Sequence, residues 1–249
     1  IYASAFYALS VIPEDFHVWD YLENSRTPEA YNKIVKGDAD IIFVAQPSGG
    51  QKKRAKESGV TLLYTPFARE AFVFIVNADN PVNSLTEQQV RDIFSGAITN
   101  WRTVGGNDQE IQTWQRPEDS GSQTVMQSQV MKNVRMISPQ EMEVASVMEG
   151  MIKVVAEYRN TNNAIGYTFR YYATQMNADK NIKLLAINGI TPTAENIRNG
   201  KYPYIVDAFM VTRENTTSET QKLVEWFLTP QGQSLVEDVG YVPLYPTME

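Results

Sequence analysis

The chain has 249 residues, 43% hydrophobic and 20% charged, with a formal net charge of −7, one histidine and no cysteine, a soluble globular composition long enough for one large domain or two of ordinary size. Without cysteine there are no disulfides, thiolate metal sites or cysteine nucleophiles; no metal or other cofactor is expected, and no run approaches the ~20 apolar residues of a membrane span. The acidic balance argues against nucleic acid, because basic clusters such as Lys52-Lys53-Arg54 are short and lack interleaved aromatics.

The opening residues, Ile1 to Leu9, have an apolar helical pattern with no capping residue ahead of them. His17, in Phe16-His17-Val18-Trp19, reads as a partly buried strand position. Thr27-Pro28-Glu29-Ala30-Tyr31 starts a helix, with Thr27 as the N-cap hydroxyl, proline at the first helical position and an acid in the first turn. Residues 40–45 are a buried strand, left through Pro47-Ser48-Gly49-Gly50. Residues 71–76 are a strand, and Thr86-Glu87-Gln88-Gln89 opens the next helix with a capping box. A strand-like run at 111–115 and a helix-like run at 124–131 flank the segment 116–123. Residues 162–167 and 182–187 read as strands, 204–211 as the last long strand, and 217–228 and 230–239 as two helices ending at Gly240. The alternation predicts an α/β architecture with mostly parallel strands. No linker is long enough to separate sequential domains, so two domains would have the chain cross between them more than once.

Arg116-Pro117-Glu118-Asp119-Ser120-Gly121-Ser122-Gln123 is the segment with chemistry. It reads as an anion-binding turn: a serine at the helix N-cap, a glycine that lets the backbone approach a ligand, and a second hydroxyl, where first-turn N–H groups are unpaired and the helix dipole is positive. Arg116 at the strand end adds a planar fork that suits a tetrahedral oxyanion. A capped helix with a surface arginine nearby is the competing reading of this stretch taken alone.

Several phrases together resemble the substrate-binding protein of the phosphate ABC transporter, within the periplasmic-binding-protein superfamily. They are residues 36–42, 74–82, 85–101, 116–123, Ala164-Ile165-Gly166-Tyr167 and Gly240-Tyr241-Val242-Pro243-Leu244, in matching order and spacing. The resemblance implies a two-lobe α/β fold with a ligand cleft between the lobes. The first lobe would comprise 1–71 and 205–249 and the second 72–204, with crossings near Ala71 and Tyr204. It implies that Arg116, Ser120, Gly121 and Ser122 bind the anion, that Glu118 orients Arg116, and that Thr27 donates from the first lobe with Ser48 in support. It further implies capture of inorganic phosphate or a close oxyanion outside the cytoplasm, in the periplasm or at the cell surface, by a monomer that is lipid-anchored through a more N-terminal segment and serves a membrane permease. Two departures stand out. Where the family has an acid at the end of the strand 40–45, this chain has Ala45, so discrimination of phosphate from sulfate is not assured. The family also carries a first strand and a Ser/Thr-rich loop before the helix at Ile1, so the numbering is expected to start inside the first lobe.

An enzyme is not expected. Ser120 or Ser122 as a hydrolase nucleophile lacks a Gly-x-Ser-x-Gly elbow, and His17 alone would have to serve as base. Trp101, Trp114 and the cluster Phe169-Arg170-Tyr171-Tyr172 read as structural aromatics rather than a sugar platform. The runner-up is an extracellular anion-sensing or adhesion domain of the same fold.

Overall fold

A computed structural model describes residues 22–132, 134–139, 148–157, 162–176 and 178–248. The readings for residues 1–9 and for His17 lie outside the described residues. The chain divides into two compact units, one comprising the sequence up to Arg69 and from Asp207 onward, the other Glu70–Val206.

In the first unit, helix α1 (Thr27–Lys36) leads into strand β1 (Ile41–Val44) and helix α2 (Gly49–Glu57). The first helical bond of α1 runs from the Ala30 N–H to the Arg26 carbonyl, so Arg26 is the N-cap, without a side-chain cap, and Thr27 is already helical. This corrects the assignment of Thr27 as the capping hydroxyl; the helix begins one residue earlier than its polar signal. Helix α2 was not legible, because Gly49-Gly50 reads as a turn. It forms because Ser48 and Gln51 make a complete capping box: the Ser48 hydroxyl accepts from the Gln51 N–H at 3.1 Å and the Gln51 side chain accepts from the Ser48 N–H at 2.9 Å.

Strand β2 (Leu62–Asn77) is long enough to run from the first unit into the second. The second unit then builds, in chain order, β3 (Ser84–Leu85), α3 (Glu87–Ser95), β4 (Gln112–Thr113), α4 (Gly121–Val125) continued by a π-helical turn (Met126–Met131), α5 (Met148–Glu157), β5 (Ala164–Phe169), β6 (Ile182–Leu184), β7 (Ala186–Ile187) and α6 (Ala194–Arg198). Helix α3 has the expected capping box of Thr86 and Gln89 and stops at Gly96, whose φ of 82° suits the left-handed cap. Strand β8 (Ile205–Arg213) returns to the first unit, which closes with α7 (Ser218–Leu228), α8 (Pro230–Asp238) and β9 (Val242–Pro243).

The sheets are mixed. Among the described residues β3 pairs parallel with β7 and β4 with β5, whereas β1 with β8, and β2 with β5, β6 and β9, are antiparallel. The expected mostly parallel order therefore gives way to a mixed one, because the long strands β2 and β8 run against the neighbours paired to them. The first unit is cored by Phe67, Ala68, Met210, Val224, Phe227 and Val236 on one side and by Tyr31, Ile34, Ile42 and Val211 on another. In the second unit the rings of Phe72, Phe94 and Tyr167 meet, with Tyr167 5.4 Å from Phe72 and 5.6 Å from Phe94, centroid to centroid. Trp101 is buried, its indole N–H donating to the Asn163 carbonyl at 2.9 Å, and Trp114 is buried as well, which makes both structural.

Glu70 anchors the start of the second unit. Its carboxylate accepts the N–H groups of Ala71 and Tyr171, each at 2.7 Å, and lies 3.6 Å from Arg170, so the Phe169-Arg170-Tyr171 cluster is held structurally. Burial outweighs these partners and pushes the carboxyl from its ordinary 4.5 up to about 7. The folded state then holds this proton more tightly than the unfolded chain. The stability it contributes is full below about pH 4.5 and is lost as pH rises through about 7. The melting temperature should therefore fall between pH 5 and pH 8, and Glu70→Gln should flatten that slope; an unchanged slope in the variant would assign the pH dependence elsewhere.

Candidate functional site

Strand β4 and the chain that follows it set the position of Arg116. The parallel ladder with β5 continues through the Gln112 N–H to Asn163 C=O bond at 3.0 Å and the Trp114 N–H to Ile165 C=O bond at 2.9 Å. At Arg116 the chain leaves the sheet: its N–H donates to the Tyr167 hydroxyl at 3.0 Å and to the Gln123 side-chain oxygen at 3.2 Å. A tight turn follows, closed by the Ser120 N–H to the Pro117 carbonyl at 3.2 Å, with Asp119 left-handed at φ 62°, a conformation aspartate tolerates better than most side chains. Helix α4 starts directly after it. Ser120 is its N-cap, as expected, and its hydroxyl oxygen accepts the Gln123 N–H at 3.2 Å, a bond that does not use the O–H proton.

The sequence-predicted residues of the second unit thus lie on one short segment, Arg116 ahead of the turn and Ser120, Gly121 and Ser122 at the start of α4. Arg116 is 8% exposed, with its Nε and Nη1 atoms buried, and the first-turn N–H groups of Gly121 and Ser122 precede the first backbone bond of the helix, from the Thr124 N–H to the Ser120 carbonyl. Ser122 is fully buried, and its hydroxyl has no hydrogen-bond partner among the described residues. A buried hydroxyl left in that condition costs ~1–3 kcal/mol, which a bound acceptor would offset. Glu118 is exposed on the turn and, with Arg116, Gln123, Gln127, Lys132 and Arg135, lines a hollow of about 490 Å³. Lys132 and Arg135 are exposed there, so the described lining carries three cations against the one carboxylate of Glu118, although the whole chain is acidic.

The other two predicted residues, Thr27 and Ser48, belong to the first unit. Thr27 is half-buried at the start of α1, and Ser48 is engaged in capping α2. Ala45 follows β1, and its carbonyl accepts the Tyr31 hydroxyl at 3.1 Å. The partners of Arg116 that sequence reasoning missed are Tyr167 and Gln123. A signal for Gln123 existed, since Ser120-x-x-Gln123 has capping-box spacing; nothing in the sequence tied Tyr167 to Arg116.

Among the described residues no group of three or more histidine, aspartate or glutamate side chains is placed to hold a metal ion, and no helix is long and apolar enough to cross a membrane. Two α/β units, one discontinuous in sequence and the other carrying a capped helix start beside a buried arginine, define a periplasmic-binding-protein-like module. The chain belongs to the PBP superfamily, whose domain it matches over residues 14–231. It is 29% identical over 170 residues to the phosphate-binding protein PstS of Bacillus subtilis, covering 68% of this chain and 53% of that protein. The PstS of Borreliella burgdorferi is 26% identical over 215 residues, covering 85% and 74%. The chain thus spans about half the length of the Bacillus relative. A Clostridium perfringens structure with bound phosphate, assigned as a phosphate ABC transporter substrate-binding protein, has a TM-score of 0.72 at 24% identity, covering 87% of this chain and 84% of that one. An ABC-type phosphate transport receptor from Vibrio cholerae gives a TM-score of 0.65 at 24% identity, with coverage of 87% and 84%. These structural likenesses establish the fold.

Proposed function

We propose that the chain is an extracytoplasmic solute-binding protein that captures inorganic phosphate, or a close oxyanion, and delivers it to the permease of an ABC importer. The observation that carries this reading is the Ser122 hydroxyl, fully buried in the first turn of α4 without a partner among the described residues, two residues after the N-cap Ser120 and six after the buried Arg116 at the strand end. Dipole, backbone N–H groups, two hydroxyls and a guanidinium there offer a tetrahedral oxyanion a dense donor shell that needs little reorganisation. The named relatives, which are phosphate-binding proteins, support the choice of phosphate.

Ser120, Gly121 and Ser122 are read as neutral donors, Arg116 as the charged clamp, Glu118 as its orienting acid, and Thr27 with Ser48 as the contribution of the first unit. The chain is read as a binding protein rather than an enzyme, monomeric and free of cofactors. With a methyl at Ala45 in place of the family's acid, there is no carboxylate at that position to repel an unprotonated oxyanion.

Isothermal titration with phosphate and then sulfate, at two pH values, tests the reading. Phosphate binding supports it, with sulfate competition expected from Ala45; absence of binding to either anion would sink it. Ser122→Ala gives a sharper check. Its melting temperature should equal or exceed that of the parent, because a buried hydroxyl without a partner is removed, while phosphate binding should weaken by ~1.5–3 kcal/mol, the range for a hydrogen bond to a charged group. Unchanged affinity in Ser122→Ala would place the anion elsewhere.

A further inference from the structure

Among the described residues three helix N-caps stand three residues before a glutamine, and one of them behaves differently from the others. At Ser48–Gln51 and Thr86–Gln89 the glutamine side chain returns to the N-cap N–H and completes the box. At Ser120–Gln123 only half of the box forms: the Gln123 N–H reaches the Ser120 hydroxyl, but the Ser120 N–H goes to Pro117, and the Gln123 side chain turns to the Arg116 N–H instead. Glutamine at this position ordinarily serves the helix; here it serves the strand end that carries the arginine.

Tyr167 accounts for the diversion. Regular continuation of the parallel ladder would send the Arg116 N–H to the Tyr167 carbonyl, as Gln112 and Trp114 donate to the carbonyls of Asn163 and Ile165. It goes to the Tyr167 hydroxyl, and that hydroxyl donates in turn to the Gln123 side-chain oxygen in a short bond. The Gln123 oxygen therefore accepts from two donors, which turns the Gln123 amide nitrogen towards the Met136 sulfur at 3.8 Å and fixes the orientation of the side chain. Tyr167 is fully buried, packed against Phe72 and Phe94, and burial pushes its hydroxyl well above the ordinary tyrosine range, so it stays protonated and keeps donating.

We propose that Tyr167 and Gln123 are positioning residues of the anion site: a Tyr167–Gln123–Arg116 network clamps the departing strand to the start of α4 and so fixes the Arg116 guanidinium relative to the hydroxyls of Ser120 and Ser122. This rests on the anion-site reading above and deepens it. Neither side chain needs to touch the ligand. A charged fork displaced by a fraction of an ångström loses the bidentate geometry that makes it strong, whereas the fold itself, held by the ladder and the aromatic core, does not depend on that register.

The test uses Tyr167→Phe, which removes one oxygen and keeps the ring packing, with Gln123→Met and the double variant. Phosphate affinity is read by calorimetry, stability by thermal melting, and exchange of the Arg116 backbone amide by NMR without ligand. Each single variant should weaken phosphate binding about tenfold or more, which is ~1.4 kcal/mol. The double variant should be no weaker than the worse single one, because the residues act as one unit. Tyr167→Phe should also speed exchange of the Arg116 amide. A lowered melting temperature with unchanged phosphate affinity would show a purely structural role and overturn the proposal, as would additive losses in the double variant. If the parent protein takes no phosphate, the functional reading fails by itself. The exchange experiment then decides the clamp alone: faster exchange at Arg116 in Tyr167→Phe supports it, and unchanged exchange overturns it. If Gln123→Met does not fold, the affinity and amide exchange of Tyr167→Phe alone decide between the same two outcomes.

Discussion

Arg116→Ala should weaken phosphate binding by ~2–5 kcal/mol, the range for removing one partner of a desolvated charged pair, and should leave the melting temperature close to that of the parent. The two effects separate because the turn is held by the Arg116 main chain, whose N–H bonds to Tyr167 and Gln123 survive truncation of the side chain. Arg116→Lys keeps the charge but loses the planar fork, so it should fall between the parent and alanine. Calorimetric titration checks all three proteins. A loss below about tenfold in Arg116→Ala would mean the guanidinium does not contact the anion.

The largest stability effect is expected at Gln233, far from the turn 116–122 in sequence and in the other unit. Gln233 is fully buried in α8, and its amide is saturated with backbone partners. The nitrogen donates to the carbonyls of Phe67 at 2.9 Å and Phe227 at 2.7 Å, and the oxygen accepts the N–H groups of Leu244 at 2.8 Å and Tyr245 at 3.0 Å. One side chain therefore joins β2, the end of α7, and the segment after β9. Gln233→Leu keeps the volume but strands these backbone groups; at ~1–3 kcal/mol for each buried group left unsatisfied, and with partial relaxation, a loss of ~3–5 kcal/mol follows. Gln233→Glu should lose at least as much at neutral pH: it keeps an acceptor for the two N–H groups but sets a carboxylate oxygen against the Phe67 and Phe227 carbonyls in a fully buried position. Urea unfolding followed by the tryptophan signal measures both, and a cost below ~1 kcal/mol for leucine would mean that water replaces the amide.

Much of this was legible in the sequence, for identifiable reasons. Periodicity and capping gave α3 at Thr86–Gln89 and both closing helices, because local signals and tertiary packing agree there. The turn 116–123 could be read because an N-cap serine, a glycine and an arginine at a strand end each have a local physical meaning. What escaped depends on pairings that no local pattern encodes. Helix α2 was hidden by two glycines whose entropy cost is offset by the Ser48–Gln51 box. The antiparallel runs of β2 and β8 are decided by where distant strands lie. Tyr167 stands 51 residues from Arg116, so only the folded β4–β5 pair could reveal that its hydroxyl replaces a carbonyl in the ladder.

The division of the chain also orders events during synthesis. The second unit is one uninterrupted stretch, Glu70–Val206, and contains the whole of the Arg116–Ser122 turn, Tyr167 and Gln123. The first unit needs Asp207 and everything that follows, including β8, α7 and Gln233, before its sheet and core can close. A ribosome making this protein therefore releases a segment able to form the turn 116–122 while residues 27–69 still wait for their partners. Chains ending shortly after Val206 and released from the ribosome should already protect the region around Arg116 from protease, and residues 27–69 should gain protection only in chains that include the last helices.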